Sequence, residues 1–360
     1  MTSPQSSSGK ILRIIDASYN RISEGLRLLE EIARMLLDDA TLTEKLKTMR
    51  HELIRGDTSS QQRLLQSRDS TGDVGIDIEV TGEEKGKELP ITLVANARRV
   101  QESLRTLEEL AKLPDTPPGL DSEKFKQARF NLYTIEQELM ARLLRQEQRK
   151  QIHGLYAIID TQFLKGRRHT EVAGQVIRGG ARIIQLRDKL QSKKALLPIA
   201  QQLQTLCTEQ NVLFIVNDYL DIALAADADG LHLGQDDLPV PVARKLLPPG
   251  KILGCSTTTV EQAIMVQAEG ADYIAVGAIH PTSSKTSATT PAVVVGLKTL
   301  REIREAVDLP LVAIGGIDKD NVADVVAAGA DSAAVISAIL GTDSPEEATR
   351  QIAKIMEAQQ

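Results

Sequence analysis

NDYLDIALAADADGLHLGQDD, residues 217–237, is the stretch on which the reading of this chain turns. A short apolar run, Leu213 to Val216, ends in Asn217-Asp218. A segment of helical period follows. A second apolar run, Gly230 to Gly234, then ends in Gln235-Asp236-Asp237. The pattern is strand, helix, strand. If the strands are parallel, both acidic ends leave the sheet along one edge. Asp218 and Asp237 could then share one divalent cation. Ligands that are all oxygen suit Mg²⁺, which takes one or two carboxylates together with substrate phosphates. The competing reading is that these acids are helix caps and turn residues, both common after strands.

Outward from this stretch the same alternation repeats. Short aliphatic runs lie at 154–159, 182–187, 212–217, 230–234, 251–255, 273–279, 310–315 and 332–337, each followed by a segment of helical period. Eight such units over residues 150–360 predict an α/β domain, a (β/α)₈ TIM barrel. An open doubly wound sheet is the runner-up. In a barrel the chemistry sits at the carboxyl ends of the strands.

Those ends carry Gln185-Leu186-Arg187-Asp188-Lys189, Asn217-Asp218, Gln235-Asp236-Asp237 and Ser256-Thr257. The later ends carry His280-Pro281-Thr282-Ser283-Ser284-Lys285, Gly315-Gly316 and Ile336-Ser337. Arg187, Lys189 and Lys285 are cations expected to face Asp218 and Asp237. Cations and Mg²⁺ around one point describe a diphosphate site, where a leaving group's charge must be neutralised. Arg offers phosphate a fork, and Lys a point charge. The last two strand ends of a barrel frequently bind a monophosphate through backbone N–H groups. Two phosphate sites imply two small-molecule substrates. The amides of Gln185 and Asn217 can orient a polar ring. His153, His232 and His280 read as structural.

Composition narrows the class. The formal net charge is −6, so no basic footprint suggests nucleic acid. No apolar run is long enough to span a membrane. Two cysteines, Cys207 and Cys255, make no disulfide framework and read as buried thiols of a cytoplasmic protein. With no CxxC and no His-rich cluster, zinc is not expected. A homo-oligomer is compatible with the sequence, which does not decide it.

Residues 1–10 read as a disordered polar leader. Residues 11–149 read as an all-α domain built on an internal repeat. RISEGLRLLEEIAR (21–34) aligns with RVQESLRTLEELAK (99–112), and EKLKTMRHEL (44–53) with EKFKQARFNL (123–132). The offset is 78 in the first helix and 79 in the second, a register that unrelated amphipathic helices would not keep. The pattern predicts two duplicated helix pairs in a bundle. The spacing of Arg21, Glu24, Arg27, Glu30 and Glu31 reads as surface ion pairs. Between the repeats, Arg68, Asp69, Asp73 and Gly75 belong to a loop that binds phosphate or metal, or else to a solvated connector.

The pieces NRISEGLRLLEEIAR, RHEL, SRDSTGDVG and ANARRVQESLRTLEELAK resemble a small helical domain found fused to thiamine phosphate synthases. That resemblance implies a hydroxymethylpyrimidine-phosphate kinase activity, although no P-loop GxxxxGK[ST] is present. A non-catalytic assembly module is the competing reading. QLRDK, NDYLDIAL, DGLHLGQDDLPV, LGCS, GAIHPTSSK, AIGGI and AAVISAI resemble the thiamine phosphate synthases themselves, in order across residues 153–345. Asp188 stands where Glu is common, and Ser284 where Thr is frequent.

The resemblance implies a cytoplasmic transferase of thiamine biosynthesis. It would join hydroxymethylpyrimidine diphosphate to a thiazole monophosphate and release diphosphate. Asp218 and Asp237 match the Mg²⁺ ligands. Gln185, Leu186, Arg187, Asp188, Lys189, Asn217, Ser256 and Lys285 match contacts to the pyrimidine diphosphate. Thr282, Ser283, Ser284, Gly316, Ile336 and Ser337 match contacts to the thiazole phosphate. Arg187, Ser256 and Lys285 are the expected catalytic groups, and loop 281–290 an expected lid. The whole-chain alternative is a thiazole phosphate isomerase of the same barrel family.

Overall fold

The computed structural model describes residues 7–54, 58–68, 88–114, 119–282 and 293–359. The chain forms two compact units, Met1–Leu144 and Arg145–Gln360. Among the described residues no helix is long and apolar enough to cross a membrane.

The first unit is helical. Helix α1 runs Ser7–Glu31 and widens into a π-type turn at Ile32–Leu36; α2 is Ala40–Ile54, α3 Thr58–Ser67 and α4 Leu89–Leu110. Helix α5, Ser122–Arg149, holds the division between the units inside its last turns. Residues 7–10, read as part of a disordered leader, are therefore helical; residues 1–6 lie outside the described residues.

The repeat is visible in the packing. Ile22, Leu26 and Leu29 of α1 are buried, and so are their counterparts Val100, Leu104 and Leu107 of α4. Leu46, Met49 and Leu53 of α2 match Phe125, Ala128 and Leu132 of α5 in the same way. Helices α1 and α4 approach so closely at Gly25 that a Cβ there would lie 2.4 Å from Val100 Cγ2.

One expectation about charge is corrected here. Arg27 and Glu31 do form an exposed pair one turn apart, at 3.2 Å. Glu30 instead turns inward and meets Arg50 of α2 at 2.8 Å. Its repeat counterpart, Glu108, is 4 % exposed at its side chain and meets Arg129 of α5 at 2.9 Å. The duplicated carboxylates tie each helix pair together from within, because their positions adjoin the buried stripe.

The second unit is a closed barrel of eight parallel strands in sequential order. They are β1 Gly154–Asp160, β2 Ile183–Arg187, β3 Leu213–Asn217, β4 Gly230–Leu233, β5 Ile252–Thr257, β6 Tyr273–Gly277, β7 Leu311–Ile314 and β8 Ser332–Val335. β8 closes on β1 with Gly154 beside Ser332 and Tyr156 beside Ala334. Helices follow the strands on the outside: α6 His169–Arg178, α7 Lys193–Glu209, α8 Leu220–Ala225, α9 Val240–Leu246 and α10 Val260–Ala268. After these come α11 Gly296–Ala306, α12 Val322–Ala327, α13 Ser337–Leu340 and α14 Pro345–Glu357. The expected eight strands are all present. β6 ends at Gly277, so His280 belongs to the loop beyond it, and β5 continues through Thr257.

The amino ends of the strands carry an acid motif that the sequence reading missed. Asp229, just before β4, accepts the Phe214 N–H of β3 at 2.9 Å. Asp272, before β6, accepts the Leu253 N–H of β5 at 2.9 Å. Asp331, before β8, accepts the Leu311 N–H of β7 at 2.7 Å. Each satisfies a backbone donor near the amino end of the preceding strand, and Arg244 and Arg304 neutralise the last two. These acids close the barrel's lower face, the end where TIM barrels hold structural residues.

Candidate active site

At the opposite face, the residues expected to act together fall into three groups. The first is a carboxylate pair. Asp218 follows β3 in a left-handed conformation, φ +63°, which Asp tolerates better than most residues. Its N–H donates to the His232 carbonyl of β4 at 2.9 Å, pinning the loop. Asp237 is held by the Gly234 N–H, which donates to Oδ2 at 2.7 Å. Burial, and after it the neighbouring Asp237 carboxylate, push the Asp218 carboxyl above its usual range. Lys189 works against this, with Nζ 3.1 Å from Asp218 Oδ2.

The second group is the loop after β2, and here the structure redistributes the expected contacts. Arg187 does not turn its whole guanidinium to the carboxylate pair, because Nη1 is bound to Asp160 at the end of β1. Leu186 is buried among the aliphatic side chains of the barrel. Asp188 is buried and fully engaged: Thr161 Oγ donates to it at 2.5 Å, the Leu190 and Gln191 N–H groups at 2.8 and 2.9 Å, and Gln191 Nε2 at 2.8 Å. Burial would raise this carboxyl, but the donors hold it below the usual range. Asp188 thus shapes the turn that presents Lys189. Thr161 Oγ also meets His169 Nε2 at 2.9 Å, and burial lowers the His169 pKa.

The third group lies inside the barrel. Gln185 is 2 % exposed, and its Nε2 donates to the Tyr156 hydroxyl at 2.8 Å. Tyr156 meets the Tyr273 hydroxyl at 3.0 Å, and Tyr273 meets His232 Nδ1 at 3.0 Å. His232 Nε2 lies 2.9 Å from Ser256 Oγ. His232 was read as a packed strand residue; it is buried, but it links Ser256 to two tyrosines. Burial pushes both tyrosine pKa values up. Asn217 is also buried at the end of β3.

Beyond β7 the chain makes two left-handed steps, Gly315 at φ +100° and Gly316 at φ +62°. A Cβ on Gly316 would lie 2.6 Å from the Pro281 carbonyl, so the loop after β6 can cross here only over glycine. Ile336 is buried and Ser337 opens α13. After Thr282 the next described residue of this loop is Val293. Ser283, Ser284, Lys285 and most of the expected lid 281–290 lie outside the described residues. So do Asp69, Asp73 and Gly75, whereas Arg68 is described and pairs with Asp16 at 2.7 Å. Among the described residues no group of three or more His, Cys, Asp or Glu is placed to hold a metal.

Comparison with known proteins agrees with this geometry. Residues 155–339 match the family described as "Thiamine monophosphate synthase". Thiamine-phosphate synthase of Synechocystis sp. is 39 % identical over 348 residues, 97 % of each chain. The chain belongs to the thiamine monophosphate synthase family. Residues 13–138 also match the family described as "ThiD2 family". The thiamine-phosphate synthase of Methanospirillum hungatei is 50 % identical over 203 residues, covering 97 % of that relative and 56 % of this chain. Among solved structures, thiamine phosphate pyrophosphorylase from Pyrococcus furiosus is 38 % identical with a TM-score of 0.53, covering 98 % of that chain and 59 % of this one. Relatives thus occur both at the full length of this chain and at about the length of its second unit.

Proposed function

We propose that the barrel carries out its family's transferase reaction, thiamine phosphate synthesis, by releasing diphosphate from hydroxymethylpyrimidine diphosphate before the thiazole phosphate attacks. The observation that carries this reading is the Asp218–Asp237 pair beside Lys189, at the strand ends that also hold Gln185 and Ser256. Two carboxylates pressed together, with only oxygen to offer, fit Mg²⁺. Bound there, Mg²⁺ would add positive charge opposite the departing diphosphate oxygens.

The chain's own residues do the rest. Lys189 and Lys285 add charge to the leaving group, and the guanidinium N–H groups of Arg187 not used by Asp160 add directed donors. The C–O bond breaks with its electron pair going to diphosphate. The aminopyrimidine ring, held by Gln185, Asn217 and Ser256, delocalises the methylene cation left behind. The thiazole nitrogen then forms the C–N bond with its lone pair. That nitrogen carries no proton, so no general base is assigned. Backbone at Gly315-Gly316 and Ile336-Ser337, with Thr282, Ser283 and Ser284, receives the thiazole phosphate. Catalysis here is charge stabilisation and positioning.

The test is product formation from the two phosphates with and without Mg²⁺. Thiamine phosphate should appear only with Mg²⁺, and Lys285→Ala should lower turnover at least tenfold, as loss of an oxyanion contact worth ~2.7–4 kcal/mol requires. Folded protein that forms no product would overturn the reading. For residues 13–138, the helical family match supports phosphorylation of hydroxymethylpyrimidine phosphate from ATP. A protein lacking residues 1–144 that keeps this kinase activity would refute that assignment in favour of an assembly role.

A further inference from the structure

We propose that Tyr156, Tyr273 and His232 are positioning residues whose hydrogen-bond chain sets Gln185 as an acceptor and Ser256 as a donor toward the substrate ring, and so selects an aminopyrimidine over an oxopyrimidine. The proposal rests on the reading above, in which a pyrimidine meets Gln185 and Ser256.

The chain crosses the barrel interior through residues of five strands. It runs from Gln185 on β2 to Tyr156 on β1, Tyr273 on β6, His232 on β4 and Ser256 on β5. Its direction follows from counting protons. A tyrosine hydroxyl has one proton to give. Tyr156 receives from the Gln185 amide nitrogen, so its own proton goes to the Tyr273 oxygen. Tyr273 then donates to His232 Nδ1. A neutral imidazole that accepts at Nδ1 carries its proton on Nε2, and this donates to Ser256 Oγ. The Ser256 proton is left to give. At the other end, Gln185 Oε1 is buried and finds no hydrogen-bond partner among the described residues.

An aminopyrimidine offers amine N–H donors and bare ring nitrogens. Those match an acceptor at Gln185 and a donor at Ser256. An oxopyrimidine offers a carbonyl acceptor and a ring N–H donor, the reverse at both ends. To fit it, the Gln185 amide, both tyrosine protons and the His232 proton would all have to turn over together. A linked chain resists this more than two independent side chains would. The barrel is also shaped to hold the chain. Tyr273 is fully buried, and its ring occupies the space beside Gly254, where a Cβ would lie 2.0 Å from Cζ.

The experiment compares Tyr156→Phe and Tyr273→Phe with the wild-type full chain. The readout is the ratio of the inhibition constant of the oxo analogue of the pyrimidine diphosphate to the KM of the amino substrate. Loss of one link should lower the ratio by about tenfold, the lower range for leaving a buried polar group mispaired. The KM for the thiazole phosphate should stay within about twofold, since that phosphate sits on other loops. An unchanged ratio in both variants, with product still formed, overturns the proposal and leaves the tyrosines as packing. Wild-type protein that makes no product overturns the functional reading, and this proposal with it. If neither variant folds, the tautomer of His232 in the wild-type protein decides. Nitrogen NMR of isotope-labelled histidine should show the Nε2–H form, assigned by substituting the other four histidines singly. The Nδ1–H form would overturn the chain's direction.

Discussion

Gly254→Ala tests whether the barrel interior is as tightly specified as the hydrogen-bond chain requires. The new Cβ would fall 2.0 Å from Tyr273 Cζ, 2.3 Å from Cε1 and 2.4 Å from the hydroxyl oxygen. All three atoms belong to one rigid, fully buried ring, so no flexible side-chain end can give way. The ring must move by more than an ångström to reach normal contact. That motion breaks its bonds to Tyr156 and His232, both 3.0 Å long. Overpacking of this kind costs ~1–3 kcal/mol, and the two hydrogen bonds contribute ~0.5–1.5 kcal/mol each, so the barrel should lose about 3 kcal/mol. Because the chain carries two units, whole-protein melting is a poor probe. Hydrogen exchange of β5 and β6 amides against urea reports the barrel alone. Turnover should fall with stability, since Ser256 loses its positioned partner. Adding Tyr273→Leu to Gly254→Ala should restore stability by removing the clash, but not turnover. A stability loss below ~1 kcal/mol with turnover unchanged would refute the reasoning, because it would show that the ring has room to move.

Asp218→Asn should lower turnover by about a hundredfold, as expected for losing a ligand opposite developing charge, measured as kcat at saturating Mg²⁺. The same change should stabilise the metal-free protein. The Asp218 carboxyl is raised in the fold, so its contribution is fully present below the unfolded pKa and is lost as pH rises through the folded one. The barrel's unfolding free energy from exchange of β3 and β4 amides, wild type minus Asp218→Asn, should therefore fall between acid and neutral pH without metal, and Mg²⁺ should recover it; a flat difference would count against the crowded pair. In the helical unit, Arg129→Ala leaves Glu108 Oε2 without its partner while Arg105 and Lys112 still hold Oε1, and should cost ~1–3 kcal/mol, whereas Arg27→Ala at the exposed pair should cost under ~1 kcal/mol by urea unfolding. Residues 145–360 expressed alone should fold and form thiamine phosphate, as the barrel-length relative suggests; an insoluble or inactive fragment would contradict that independence.

The carboxylate pair shows how far a linear reading reaches. Asp218 and Asp237 each end an apolar run, and parallel strands bring such ends to one edge whatever the surrounding detail. Gln185 and Ser256 were legible as polar positions of β2 and β5 for the same reason. Arg187 was legible as a cation but not as the partner of Asp160, because that bond joins neighbouring strand ends 27 residues apart. Asp188 looked like a ligand contact, and its burial and donors became visible only once the loop closed on Thr161. The lower-face acids Asp229, Asp272 and Asp331 sit in ordinary turn-like sequence, and their roles come from strands they do not belong to.

By itself the sequence determined the number and order of strands, the duplication of the helix pairs and the polar character of the barrel's upper rim. Those properties are periodic or local: side-chain alternation, helical spacing and strand-end chemistry repeat within a few residues of one another. Only the tertiary structure decided that Tyr156, Tyr273 and His232 meet. They lie 117 and 41 residues apart along the chain, and the closure of the barrel brings them together. Closure and register depend on every strand at once, and no short stretch of sequence carries that information.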